Sequence, residues 1–206
     1  HLPPLARMLT LGAPIGAQHQ LEFGIFGVVG LMMGAIGAVA MAGHQVALNL
    51  ASFTFMVPMG VAGAAAVLVG NAVGRNDLLE ARRAAAAGLV IGVTFMAVSA
   101  GTMIGAPHLF ARAYTNKGDV AAVAVSLIPL AGVFQVFDGL QVVSIGILRG
   151  LADTRAPMVI NVVGFWLVGL PISAWLGLGT DLGPRGLWRG LVVGLAAVAL
   201  ILLARG

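Results

Sequence analysis

Residues 120–148 read VAAVAVSLIPLAGVFQVFDGLQVVSIGIL, closed off by Asp119 and Arg149 and carrying one formal charge, Asp138. A run this long and apolar exceeds the roughly 20 residues that a helix needs to cross the hydrocarbon of a bilayer. The pattern recurs in both directions. Residues 84–111, 156–180 and 190–204 hold no formal charge, and between Arg7 and Arg75 only Glu22 interrupts. That first interval has room for two spans and each of the others for one. The sequence therefore predicts an all-α integral membrane protein with six transmembrane helices, at about 8–34, 39–69, 80–104, 119–148, 157–176 and 185–203.

Composition agrees with lipid as the solvent. Hydrophobic residues make up 60% of the chain and charged residues 9%, against about 25% charged in a soluble domain. A soluble protein so composed would expose large apolar patches. The 30 glycines suit close helix packing in a membrane, so they are not read simply as loops. A net charge of +4 would in a soluble chain point to nucleic acid, but here the bases sit at span ends. If the N-terminus is cytoplasmic, seven of the 11 bases fall inside (Arg7, Arg75, Arg82, Arg83, Arg149, Arg155, Arg205). Arg112, Lys117, Arg185 and Arg189 fall outside. The positive-inside bias then places both ends in the cytoplasm. Trp175 and Trp188 are expected as anchors at the outer interface. The chain has no cysteine, which excludes disulfides and thiolate metal sites. It opens on His1-Leu2-Pro3-Pro4 and reads as part of something longer.

Connections are expected at Ala35-Ile36-Gly37-Ala38, at Gly70–Asp77, across a polar segment Pro107–Lys117, in a basic loop Arg149–Arg155, and in a Gly-rich turn from Gly177 to Pro184. Pro14, Pro58, Pro129 and Pro171 lie within spans, where each removes a backbone donor and permits a bend.

Two acids, Glu22 and Asp138, lie well inside apolar runs. A carboxylate at that depth is costly, so it usually faces a cavity and serves a function. Gln18 precedes Glu22 by one turn, and Gln135 and Gln141 flank Asp138 at three residues on either side, near one helix face. A pair of carboxyl groups in a low-dielectric pocket attracts a proton or, through its oxygens, a hard cation such as Na⁺. Such a site can exchange Na⁺ or H⁺ for a cationic substrate. The plainer reading is a neutral acid that only hydrogen-bonds between helices.

His44, Gln45 and Asn49 follow the first turn. Hydrogen bonding between helices near the outer interface is the simpler account, and lining a substrate cavity is the other. Arg149, Asp153 and Arg155 form the most distinctive loop, read as an inner-side anchor with a hinge as the functional alternative. Met32, Met33, Met56 and Met59 can supply an adaptable surface or merely fill gaps.

Several segments together resemble a known family. Leu11-Gly12-Ala13-Pro14-Ile15 with Leu21-Glu22 looks like the start of the second half of a multidrug and toxic compound extrusion (MATE) transporter of the NorM-like branch. The stretches 42–49 (AGHQVALN), 56–60 (MVPMG), 69–74 (VGNAVG), 134–141 (FQVFDGLQ) and 148–155 (LRGLADTR) fit as well, and so do Gly169-Leu170-Pro171 and Gly186-Leu187-Trp188. The resemblance implies one lobe of a twelve-helix protein, with residues 1–206 as its C-terminal lobe and the N-terminal lobe outside this chain. It further implies a bacterial inner-membrane antiporter that exports amphipathic, often cationic, drug-like compounds in exchange for Na⁺ or H⁺. Surrounding lipid and the other lobe would be its partners, with no nucleic acid and no cofactor beyond the coupling ion. Glu22 and Asp138 match the acids that this branch uses for cation coupling. An aromatic hydroxyl expected one turn before the second acid falls at Phe134, which has no oxygen.

Rival readings are weaker. A lipid-linked polysaccharide flippase of the same broad fold would favour bases deep within the spans for its anionic substrate, and here the bases are read at span ends. A channel would need rings of polar groups from several subunits. An intramembrane enzyme would need a catalytic set such as HExxH, which the sequence lacks. A non-functional fragment is the remaining alternative.

Overall fold

The computed structural model describes residues 2–205, with the side chains of 8–10 and 12–205. Arg7, assigned above to the inner side, and Leu11 of the first motif fall outside the described side chains.

Apolar runs with no water to bond must satisfy their backbone internally, and they do so as helices. These are α1 (Leu2–Ile36), α2 (Ala38–Gly74), α3 (Leu78–Gly105), the short α4 (Pro107–Tyr114), α5 (Gly118–Gly150), α6 (Arg155–Asn161), α7 (Leu170–Leu178) and α8 (Pro184–Arg205). Between α6 and α7 the helix widens into a π-helical stretch, Val162–Gly169. Among the described residues, six helices are long and apolar enough to cross a membrane, counting Arg155–Leu178 as one.

Helix α5 is the spine of the lobe. It packs against α2, α3 and α8, while α1 lies against α2 and against the α6–α7 span. Two glycines show how sequence permits this. Gly37, at φ 153°, is the whole connection between α1 and α2, and its amide and carbonyl bond to Met33 and Met41. Gly146 of α5 presses on the backbone of Ala62 in α2, where any Cβ would collide with the Ala62 carbonyl.

Four expectations need correction. Helix α2 runs straight through Gly70-Asn71-Ala72-Val73-Gly74, because small residues suit α2 where it meets Gly150 of α5. The turn is confined to Arg75 and Asn76, and Asp77 caps α3 by accepting from the Glu80 amide at 2.9 Å. The segment after Pro107 is not a bare polar connection, since Pro107 starts the helix α4 as a first-turn proline can. Gly177 still belongs to α7, which ends at Leu178. Trp188 is fully buried in the core, edge-on to Phe134 at 5.6 Å, and so cannot anchor at the interface. Trp175, by contrast, is largely exposed.

The π-helical stretch ends two residues before Pro171. Proline offers no N–H to the preceding turn, and a widened register is one way to absorb that loss. The stretch is tied to α1 by Trp166, whose Nε1 donates to the Leu21 carbonyl at 3.3 Å. That contact sits one residue from Glu22.

Candidate cation-binding site

Glu22 sits mid-way along α1 and is mostly buried, and four side chains close on it. Gln18, one turn earlier, donates to its Oε1 at 3.2 Å. Gln141 of α5 donates to the same oxygen at 3.0 Å, and Asn161 at the end of α6 donates to it as well. Gln141 also donates to the Asn161 carbonyl oxygen at 3.0 Å, so the two amides orient each other. The fourth neighbour is His19, whose Nδ1 lies 3.7 Å from Glu22 Oε2. Three helices thus converge on one carboxylate, and both the nitrogen and the oxygen of the Asn161 amide are engaged there.

Asp138 of α5 lines the same cavity as Glu22, one helical turn before Gln141. Its carboxylate makes no hydrogen bond among the described residues, which leaves its oxygens free for a ligand. The cavity measures about 150 Å³ and is bounded on its third side by the α2 surface around Met59 and Gly63. Drug-sized ligands occupy roughly 300–1,000 Å³. This cavity can hold a cation with a few waters, but not such a molecule. The Glu22 and Asp138 carboxylates and the amide oxygens of Gln18 and Gln141, all from residues lining the cavity, are hard oxygen donors of the kind that hard cations take.

The other residues singled out in the sequence are scattered. Gln135 does not share the cavity. Six residues separate it from Gln141, which turns it about 120° around the helix, and it is bonded instead to Thr54 at 2.6 Å and to the Met96 carbonyl at 3.5 Å. His44 is fully buried against Trp188, with ring centroids 5.8 Å apart, and neither ring nitrogen has a hydrogen-bond partner among the described residues. It therefore makes no hydrogen bond between helices and does not line this cavity. Gln45 and Asn49 are exposed, and Asn49 donates to the Gln45 carbonyl at 2.8 Å. Phe134 packs edge-on between Phe26 and Trp188 rather than facing the acids. Of the methionines, Met33 is core, Met56 is exposed and Met59 lines the cavity.

The basic loop divides. Arg149 belongs to the last turn of α5 and lines the cavity, with its Nη2 at 3.3 Å from His19 Nε2. A base does therefore stand within a span, contrary to expectation, though two acids outnumber it there. Asp153 accepts from the Ala156 amide at 3.2 Å, bracing the start of α6, and pairs with Arg205 at 2.9 Å. Arg155 is exposed. Asn161, His19 and the cavity-facing Arg149 escaped the sequence reading.

The MatE family profile matches residues 14–175. The chain belongs to the MatE family. It is 42% identical over 206 residues to multidrug resistance protein NorM of Burkholderia vietnamiensis, covering 98% of this chain and 45% of that protein. It is 45% identical over 198 residues to a probable multidrug resistance protein NorM of Xanthomonas campestris, covering 96% of this chain and 43% of the relative. The fold superimposes on the crystal structure of the eukaryotic MATE transporter AtDTX14 with a TM-score of 0.91 at 24% identity, over 97% of this chain and 45% of that one. This MatE chain spans about half the length of the curated relatives it matches.

Proposed function

We propose that this chain is the C-terminal lobe of a twelve-helix antiporter that exports amphipathic, often cationic compounds in exchange for Na⁺ or H⁺. The single observation that supports it most is the shared cavity, which Glu22 of α1 and Asp138 of α5 both line, with Gln141 and Asn161 donating to Glu22. A bound proton or Na⁺ relieves the cost of two buried acids side by side. Occupancy of the site therefore biases whatever arrangement of α1, α5 and α6 holds it best.

The size of the cavity separates two tasks. About 150 Å³ suits the coupling ion, so the drug cavity is assigned to the groove between this lobe and its partner lobe. Transport then proceeds by rocking of the two lobes about a central site, with ion and substrate linked through opposite preferences for the two orientations. The lobe alone does not enclose a substrate path. Its setting is the bacterial inner membrane, with both ends of the chain cytoplasmic.

The test is efflux of ethidium from cells expressing the intact transporter that carries this lobe. Asp138→Asn keeps the shape and removes the charge, and it is expected to reduce ion-driven efflux to background while surface expression holds. Undiminished ion-driven efflux would remove Asp138 from the coupling mechanism.

A further inference from the structure

Four titratable side chains line the cavity: His19 and Glu22 from α1, and Asp138 and Arg149 from α5. The α2 wall contributes only apolar and small residues, Met59 and Gly63 among them. The coupling reading uses the two acids and leaves Arg149 without a task. Yet Arg149 is built into the site. Through His19, its guanidinium is linked to Glu22, at 3.3 Å on one side of the imidazole and 3.7 Å on the other. Its Nε is buried with no hydrogen-bond partner among the described residues, so this nitrogen does not cap the end of α5. Asp153, four residues along the chain, is paired with Arg205 instead. A guanidinium does not lose its proton in a protein, so Arg149 carries a permanent positive charge.

We propose that Arg149 is a resident counter-charge that fixes at one the valence of the cation the cavity takes up. This rests on the reading that Glu22 and Asp138 hold the coupling ion. With both acids ionised and His19 neutral, two negative charges face one permanent positive charge, which leaves the cavity one unit negative. One Na⁺ or one proton balances it. Without Arg149 the same oxygens would be two units negative, a site that suits two monovalent ions or one oxygen-liganded divalent cation. Arg149 is thus a specificity determinant that discriminates by charge rather than by cavity size.

Charge rescue tests this on the purified intact transporter. Radiolabelled Na⁺ binding is read by scintillation proximity, and proton uptake by an indicator dye in the same preparation. Glu22→Gln leaves Asp138 balanced by Arg149 and is expected to lose one bound cation per molecule. Adding Arg149→Gln to Glu22→Gln restores the unit deficit and is expected to recover that cation. Arg149→Gln alone is expected to make Na⁺ binding sensitive to Ca²⁺, while Arg149→Lys behaves as the parent. A double variant that melts like the parent but recovers no cation overturns the counter-charge. Full cation binding by Glu22→Gln would instead overturn the coupling site itself, so the two failures are distinguishable.

Discussion

In the C-terminal half of α5, Gln141 joins Glu22 and Asn161 in a network that crosses three helices and opens on a cavity. Nearly two turns earlier on the same helix, Gln135 is shut between Thr54 and the Met96 backbone, and in α2 His44 lies against Trp188 with both nitrogens unbonded among the described residues. Both regions bury polar side chains in an apolar setting. What separates them is convergence. In the first, polar atoms from different helices point at one space and leave free carboxylate oxygens there. In the second, each polar group is closed off singly, and aromatic packing supplies the order. Buried polarity on its own therefore does not mark a site in a membrane lobe, although it invites that reading.

The comparison breaks most readily at Trp188. Its truncation to Ala opens a cavity between Phe134 and His44 and is expected to cost about 3–5 kcal/mol of stability. The check is thermal unfolding in detergent with and without Na⁺. The loss should be the same in both conditions, because Trp188 touches the aromatic core and not the cavity. A loss that grows with Na⁺ would join the two regions into one.

Asn161 is the sharper probe of the network. Asn161→Ala removes a donor to Glu22 and an acceptor from Gln141, so a cost of about 1–3 kcal/mol is expected. In a cycle with Glu22→Gln the two losses should fall short of additivity by about 1 kcal/mol, since either change dismantles the same bonds. Strict additivity of the melting shifts would mean that the three side chains do not act as a unit.

The fold was legible because charge spacing alone divides the chain into spans, and lipid enforces helices within them. Half of the site was legible for the same reason. Glu22 and Asp138 stand out as formal charges in apolar runs, and Gln18 and Gln141 follow at helical spacing. Asn161 was hidden because the fifth span was recognised by its lack of charge, which an amide does not disturb. Pro171 in the same span marks a bend, but nothing in the sequence signals the π-helical stretch that begins directly after Asn161. Arg149 was hidden by the rule that bases mark span ends. Cα–Cβ bonds point toward a helix's N-terminus, so a long side chain in the last turn of α5 can reach back into the cavity. Gln135 was misplaced by the opposite error, since three residues on either side of Asp138 do not put two glutamines on one face. Their partners lie on α3 for one and on α6 for the other, at sequence separations that a single helix pattern cannot encode.

The smallest effects test the quiet side of the comparison. Gln45 and Asn49 are exposed on α2, bonded only within their own turn, and neither lines the cavity. Exposed substitutions with no buried partner usually change stability by no more than about 0.5 kcal/mol. The double replacement Gln45→Ala with Asn49→Ala is thus expected to leave both the melting temperature and the Na⁺ dependence of efflux within error of the parent. The informative outcome is a split result. Unchanged ion dependence with weakened ethidium efflux would mean that this face meets the drug in the groove toward the partner lobe, while Glu22 and Asp138 alone handle the ion. A shift in ion dependence itself would be harder to accommodate, because nothing in the network around Glu22 extends to that face, and it would show that convergence on the cavity is not what defines the coupling site.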